Sequence, residues 1–152
     1  EEIIRVCARL GMSLCVVGDG PERKRLEEIS KILKAKVTFL GNQSENEVKV
    51  LLDQSRCFVL NSSFEATSYA LLEARSMNLF SIARRNTGSE EVIKHEEDGL
   101  LCDESYPLYK ALERFKADDE FVQSASSAAR VDTSIRFSQE KNFANIYRVA
   151  TG

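Results

Sequence analysis

The chain has 152 residues, 43% of them hydrophobic and 30% charged, with a formal net charge of −3. This size suits one domain with a substantial core, so we expect residues 1–152 to form a single domain. The acidic balance argues against a nucleic-acid-binding protein, which needs a basic surface. No apolar stretch approaches the roughly 18 residues of a membrane span, and the charged start is not that of a signal peptide. A cytoplasmic location is therefore expected.

Five short apolar runs recur at intervals of roughly 20 residues. They cover residues 14–17, 37–40, 57–60, 79–83 and 100–102. Because the stretches between them carry helical patterns, the sequence predicts repeated β-α units and hence a parallel sheet covered on both faces. The expected fold class is α/β, a Rossmann-like three-layer α/β/α sandwich followed by C-terminal helices.

Helix signals lie between these runs. Gly11 ends an opening helix over residues 1–10, and Pro21 stands at the predicted first position of the next helix. Ser44 and Glu47 have the spacing of a capping box. After Asp103 the strand pattern stops, and the sequence predicts helices over residues 106–116, 118–130 and 138–150.

The cysteines and the single histidine do not suggest a metal site. Cys7, Cys15, Cys57 and Cys102 are widely separated, with no C-x-x-C pair, and His95 has no partner at zinc-ligand spacing. We predict buried thiols in a reducing compartment, a histidine at the surface, and neither a metal nor a cofactor.

The most informative residues are two glutamates after the third apolar run. Glu65 falls in a loop, and Glu73 lies about a turn and a half into the helix that begins near Thr67 or Ser68. Ligands of open parallel sheets bind at the carboxyl ends of strands, where the first amides of a helix attract anions. A phosphate held by those amides, with carboxylates accepting hydrogen bonds from hydroxyl groups, is what a nucleotide-sugar requires.

The segment Glu65-x7-Glu73 resembles the E-x7-E motif of retaining glycosyltransferases of the GT-B fold, family 4 type (glycosyl transferases group 1). Other stretches agree in order and spacing: residues 14–23, residues 37–41, and residues 91–93 leading to 98–101. The resemblance covers residues 3–148. It implies that the chain is the C-terminal, donor-binding half of a GT-B fold.

The resemblance also implies roles for individual residues. Glu65 would be catalytic, contacting the transferred sugar and stabilising developing charge, and Glu73 would bind the ribose hydroxyls. Gly41 and Asn42 would lie at the nucleobase, and loop amides would hold the diphosphate. The other residues implied to bind substrate are Gly18, Gly20, Phe64, Ala66, Thr67, Ser68, Tyr69 and Leu72. A tight turn alone would also explain the glycines at 18 and 20, and the pair Arg84-Arg85 could face either the diphosphate or solvent.

The chain departs from the family pattern at Ala66, where a glycine is usual, and at Asn78-Leu79-Phe80-Ser81, which replaces glycine-x-proline. The family's arginine and lysine that clamp the donor diphosphate precede the opening helix and are not among these residues. The acceptor-binding N-terminal domain is not among them either. We therefore expect an N-terminally truncated protein that is inactive by itself.

The expected function is binding of a nucleoside-diphosphate sugar, a UDP-sugar first and a GDP-sugar second, for metal-independent hexosyl transfer to an acceptor hydroxyl. The acceptor would be a glycan, a polysaccharide or a glycolipid, and peripheral association with the inner face of a membrane would come from the absent domain. Two alternatives remain open: a GT-B-like sugar-nucleotide epimerase, and a non-catalytic Rossmann-like interaction domain.

Overall fold

A computed structural model describes residues 1–62, 68–85 and 87–137 of the chain. The strands are β1 (Ser13–Val17), β2 (Lys36–Gly41), β3 (Cys57–Leu60), β4 (Phe80–Arg84) and β5 (Leu100–Cys102). The helices are α1 (Glu2–Leu10), α2 (Arg23–Ile32), α3 (Glu45–Asp53), α4 (Tyr69–Ser76), α5 (Thr87–Val92), α6 (Leu108–Ala117) and α7 (Asp119–Arg136). Each apolar run became a strand, and the predicted α/β fold class is confirmed.

In the described part of the chain the strands form two parallel hydrogen-bonded groups. β1 pairs with β2, with Leu14 opposite Val37. β3, β4 and β5 lie side by side in that order, with Ile82 of β4 between Val59 and Leu100. Parallel neighbours need a crossover connection, and here a helix joins each neighbouring pair. Within each group the carboxyl ends of the strands therefore share one edge.

The start of α1 brings the carboxyl edges of the two groups to the same side of the molecule. α1 packs against β1, and only Gly11 and Met12 separate them, so α1 starts near the end of β1. Asn61, directly after β3, donates to the Glu2 carboxylate at 2.9 Å. Arg25 in the first turn of α2 pairs with Glu1 at 2.6 Å. The ends of β1 and β3 consequently face the same region.

The core is centred on β4 and β5. Phe80, Ile82 and Leu100 are fully buried and pack with Leu112 of α6. This burial is expected of parallel strands that have helices on both faces. In β1, exposed and half-buried residues alternate instead, and β2 begins in the same way. The predicted cover on both faces therefore holds for β4 and β5 but is wrong for β1 and β2, whose alternate side chains face solvent.

A buried ion pair ties α4 to the turn before β5 and to α7. The Arg75 guanidinium donates to both carboxylate oxygens of Asp98, at 2.9 and 3.3 Å, and to the Asp98 carbonyl at 2.9 Å. It also donates to the Thr133 hydroxyl at 3.3 Å. Gly99 follows Asp98, and a Cβ there would lie 2.7 Å from the Ser81 carbonyl oxygen, so β4 leaves no space for a side chain at this position. The pair tolerates full burial because its polar atoms have these hydrogen bonds.

The helices differ from the sequence prediction mainly at their ends. The opening helix and the capping box of Ser44 and Glu47 are confirmed. Pro21 lies in a turn two residues before α2 rather than at its first position. α5 was not predicted, since its six residues include a glycine, and α7 continues six residues beyond the predicted end at Arg130. The predicted helix over 138–150 lies outside the described residues.

The four cysteines are free thiols. Cys7 and Cys102 are buried as predicted and Cys57 is half-buried, but Cys15 is exposed because it lies on the open face of β1. Desolvation raises the pKa of Cys102 to about 12 and raises that of Cys57 well above its ordinary value. Both thiols stay protonated at neutral pH, which suits a structural role.

None of the helices in the described ranges combines the length and the apolar character needed to cross a bilayer.

Candidate functional site

The amino end of α4 lies at the carboxyl end of β3, with Ser68 buried and Tyr69 exposed. Ser68 is the N-cap, and its hydroxyl accepts a hydrogen bond from the Leu71 N–H at 3.4 Å. Tyr69 and Ala70 follow as the first helical residues, and both are exposed. The first amides of a helix have no acceptor within it, and they carry the positive end of its dipole. This end of α4 can therefore hold an anion.

Glu73 lies one helical turn after Tyr69 on the same face of α4. It is half-buried. The pKa of Lys49 on α3 is raised, mainly by its hydrogen bond to Glu45 and also by the nearby charge of Glu73. The Glu73 side chain thus offers hydrogen-bond acceptors one turn from the amino end of α4, with Lys49 within electrostatic reach.

Four of the predicted site residues, Phe64, Glu65, Ala66 and Thr67, lie outside the described residues. The catalytic role of Glu65 accordingly stays a prediction.

Leu72, also predicted to bind substrate, is engaged within the domain. Its N–H donates to the Ser68 carbonyl at 3.1 Å, and its side chain packs against the core cluster around Leu71. Its predicted contact with a substrate stays a prediction.

The turns that follow β1 and β2 are joined at their glycines. The Gly18 N–H donates to the Gly41 carbonyl at 2.7 Å. Their φ angles are 110° and 70°, values that favour glycine. At Gly18 and Gly20 nothing lies within 4 Å of the position a Cβ would take, so a ligand could approach the backbone there. Asn42 is exposed beside them, and the two turns form one polar edge at the ends of β1 and β2.

A cavity of about 190 Å³ lies at the carboxyl ends of β3, β4 and β5. Asn61, Arg84 and Asp103 line it from the strand ends, and Glu2 lines it from α1. Sequence reasoning singled out Arg84 but missed Asn61, although a polar residue directly after a buried parallel strand is the available signal.

Arg84 and Arg85, singled out from the sequence as a pair, have different surroundings in the structure. Arg84 lines the cavity, whereas Arg85 pairs with Asp103 at 2.8 Å and with Glu90 at 3.0 Å. Hydrogen bonds from the Ser105 hydroxyl, the Tyr106 amide and Arg85 hold the pKa of Asp103 well below its usual range. Asp103 is therefore ionised, and it holds Arg85 at the rim of the cavity.

A larger groove of about 510 Å³ lies between α2 and β2. Lys34, Ala35 and Val37 line it at the amino end of β2, opposite to the edge that carries the predicted site residues. Its position separates it from the candidate site.

His95 was predicted to lie at the surface, and the structure corrects this. Its Nδ1 accepts a hydrogen bond from the Leu101 N–H at 3.0 Å, and its ring meets Tyr106 edge-on. Desolvation lowers its pKa, so the ring is neutral and acts as an acceptor. Its role is to hold the turn before β5, which sequence spacing alone did not indicate.

Within the described ranges, no cluster of three or more histidine, cysteine, aspartate or glutamate residues is arranged to hold a metal ion.

Known proteins resemble this chain in sequence and in fold. A family model described as glycosyl transferases group 1 matches residues 1–132. The lipopolysaccharide core biosynthesis glycosyltransferase LpsD of Rhizobium meliloti (strain 1021) is 31% identical over 131 residues, which cover 84% of this chain and 38% of LpsD.

Two solved structures share the fold. Sucrose-phosphate synthase from Thermosynechococcus elongatus matches with a TM-score of 0.86 at 22% identity, over 98% of this chain and 41% of that one. HepE from Anabaena, solved in complex with UDP-glucose, matches with a TM-score of 0.84 at 20% identity, over 99% and 44% of the respective chains. The chain thus spans less than half the length of these proteins.

Proposed function

Because the chain belongs to the glycosyl transferases group 1 family, we propose that it is the donor-binding domain of a retaining, family 4-type glycosyltransferase. The observation that carries this proposal is the amino end of α4, which begins with the exposed residues Tyr69 and Ala70 and carries Glu73 one turn later. A helix end of this kind suits a diphosphate, and the carboxylate suits a hydroxylated sugar ring beside it. The complex of HepE with UDP-glucose supports a UDP-sugar as the first candidate donor. A GDP-sugar is the second candidate.

In the proposed complex each part of the donor meets a different part of the site. Glu73 accepts hydrogen bonds from the ribose hydroxyls, and the amides of Ser68 and Tyr69 hold the diphosphate. Gly41 and Asn42 lie at the base, and Gly18 and Gly20 allow close approach of the backbone. Glu65 is the catalytic residue near the transferred sugar.

In the proposed reaction the bond between the anomeric carbon and the diphosphate oxygen breaks, and a bond to an acceptor hydroxyl oxygen forms with retained configuration. The departing nucleoside diphosphate carries away the electron pair and accepts the proton of the acceptor hydroxyl. Preorganised amides at a helix end stabilise the charge that develops on this leaving group, without a metal ion.

Transfer also requires an acceptor site. We propose that a second domain, outside these 152 residues, binds a glycan, polysaccharide or glycolipid acceptor in the cytoplasm or at the inner face of a membrane. The length of LpsD, of which this chain matches 38%, supports a two-domain enzyme.

The test is calorimetric titration of wild type and Glu73→Ala with UDP and with its 2′,3′-dideoxy analogue. If Glu73 receives the ribose hydroxyls, the substitution should weaken UDP binding by about 1.5–3 kcal/mol, the range for hydrogen bonds to a charged group. The loss should be much smaller for the dideoxy analogue. Glu113→Ala, at an exposed glutamate of α6, is the matched control and should leave both affinities unchanged. Equal losses for the two ligands would remove the ribose role from Glu73.

A further inference from the structure

We propose that Arg23, the first residue of α2, is a positioning residue that fixes the turn after β2 and thereby sets which nucleobase the protein accepts. This inference rests on the proposed function, which places the base at Gly41 and Asn42.

The Arg23 side chain connects three segments at the carboxyl edge of β1 and β2. Its Nη2 donates to the Phe39 carbonyl near the end of β2 at 3.3 Å, and its Nε donates to Glu27 on α2 at 2.9 Å. Its Nη1 lies 3.5 Å from the Asp19 carboxylate in the turn after β1. Glu27 and Asp19 thus hold the guanidinium plane while its remaining nitrogen reaches the backbone of β2. The side chain is only 32% exposed, which limits its alternative rotamers.

The same guanidinium fills the space beside Gly41. A Cβ at position 41 would lie 2.9 Å from Arg23 Nη1, closer than real contacts allow. Gly41 is buried, has a φ of 70°, and accepts the hydrogen bond from the Gly18 N–H. Arg23 therefore packs against Gly41, the residue that joins the two turns.

Gln43 also binds the backbone of this turn. Its side-chain amide donates to the Leu40 carbonyl at 2.8 Å and to the Asn42 carbonyl at 3.1 Å. Arg23 and Gln43 together restrain the backbone groups at residues 40–42. Recognition of a base through such groups needs placement within about 0.5 Å, which only a supported turn provides.

Arginine and lysine differ in what they can do here. A lysine would keep the charge next to Asp19 and Glu27, but it has a single nitrogen and cannot also reach the Phe39 carbonyl. Arg23→Lys should therefore retain the stability of the domain without restoring the geometry of the turn. A loss of base discrimination in a variant that keeps its stability would show that Arg23 positions the turn and does not merely stabilise the fold.

The experiment titrates wild type, Arg23→Ala and Arg23→Lys with UDP, GDP, ADP and inorganic pyrophosphate by calorimetry. We expect both variants to lower the affinity ratio between the best and the worst nucleotide by about tenfold, the size of one hydrogen bond's contribution. Pyrophosphate, which has no base, should bind all three proteins alike. Arg25→Ala is the control on the same helix, because Arg25 pairs with Glu22 and Glu1 instead of reaching the turn.

A second measurement uses Gly41→Ala. In wild type the new methyl group meets Arg23, whereas in Arg23→Ala that contact is removed and only the backbone strain at φ 70° remains. Gly41→Ala should therefore lower the melting temperature less in the Arg23→Ala protein than in wild type. Equal shifts in the two backgrounds would contradict the proposed contact.

The outcomes separate this inference from the proposed function. If no nucleotide binds wild type, both are overturned. If nucleotides bind wild type but Arg23→Ala keeps the affinity ratio, or weakens UDP and pyrophosphate equally, the positioning role alone is overturned. Arg23→Lys with wild-type discrimination would also contradict it.

Discussion

Two ion pairs in this domain have similar geometry and opposite surroundings. Arg56 and Asp119 approach to 2.6 Å, but both side chains are 69% exposed. Arg75 and Asp98 approach to 2.9 Å and are 0% and 3% exposed. The exposed pair is solvated in the unfolded and folded states alike and contributes at most about 1 kcal/mol. In the buried pair each charge depends on its partner, so environment rather than distance decides how much stability each pair contributes.

The first prediction compares these pairs. Arg75→Met should lower the free energy of unfolding by about 3–5 kcal/mol, because the Asp98 carboxylate stays buried without its partner. Adding Asp98→Asn should recover much of the loss, since the unpaired charge is then removed. Arg56→Met is the control and should cost less than about 1 kcal/mol. Urea unfolding measures all three, and a small effect at Arg75 would contradict the buried network described above.

The second prediction concerns pH. Desolvation lowers the pKa of folded His95 below its ordinary value, with opposing contributions from Glu96 and Asp103 and further lowering by Arg85 and Arg114. The unfolded state therefore binds the proton first as the pH falls below about 6.5, and stability that is fully present above this pH is lost. The slope due to one such group is at most about 1.4 kcal/mol per pH unit.

His95→Asn provides the comparison, because it keeps a polar side chain without a titration in this range. Urea unfolding between pH 7.5 and 5 should show a steeper loss of stability for wild type than for the variant. Parallel pH profiles would show that His95 does not titrate differently in the folded and unfolded states.

Sequence patterns predicted those strands and helices whose formation depends on residues close together in the chain. Each apolar run became a strand because a run of three to five mainly apolar residues suits a strand of a parallel sheet. α3 was predictable because Ser44 and Glu47 satisfy each other's backbone groups within four residues. α5 was missed because it has six residues, too few to show a periodic apolar face.

Contacts between distant residues could not be predicted in this way. Arg75 and Asp98 are 23 residues apart, and Arg23 and Phe39 are 16 apart. Only the packing of the strands and helices brings these pairs together. The same holds for Cys15, which was predicted to be buried because its run is apolar, although the open face of β1 exposes it. For the candidate site, the sequence indicated Glu73 and the start of α4 but not the contact between Arg23 and Gly41.

The third prediction is made for α3. Ser44→Ala should lower the free energy of unfolding by about 1 kcal/mol, because it removes the acceptor for the Glu47 N–H and one half of the capping box. Ser55→Ala, beyond the other end of α3, is the control, since the Ser55 hydroxyl donates to the Leu51 carbonyl and caps no amide. Its effect should stay within about 0.5 kcal/mol. Equal effects at the two ends would show that the capping box adds no stability.

For the whole molecule, the fold brings the ends of β1 and β3 to one side, where the start of α1 contacts Asn61 after β3 and the first turn of α2. The residues proposed to bind the donor follow strands at this edge. None of the proposed donor-binding residues is assigned to the acceptor, and the 131 residues matched to LpsD cover only 38% of that protein. Donor binding and sugar transfer should therefore be separable.

The fourth prediction follows from this separation. The 152-residue protein should fold and bind a nucleoside-diphosphate sugar but should not catalyse repeated transfer to an acceptor glycan or glycolipid. Incubation with a radiolabelled donor and candidate acceptors measures this, with release of free sugar as the control for hydrolysis. Multiple-turnover transfer by this protein alone would contradict the two-domain proposal.

The most direct test of the central claim is a thermal-shift titration of the 152-residue protein with UDP, GDP and ADP and with their glucose conjugates. A ligand that binds only the folded state stabilises it by RT ln(1 + [L]/Kd), or about 2.7 kcal/mol at one hundred times Kd. We predict a saturable rise in melting temperature that is largest for uridine or guanosine nucleotides and smaller for Glu73→Ala. No rise with any nucleotide up to millimolar concentration would contradict the assignment of this domain to donor binding.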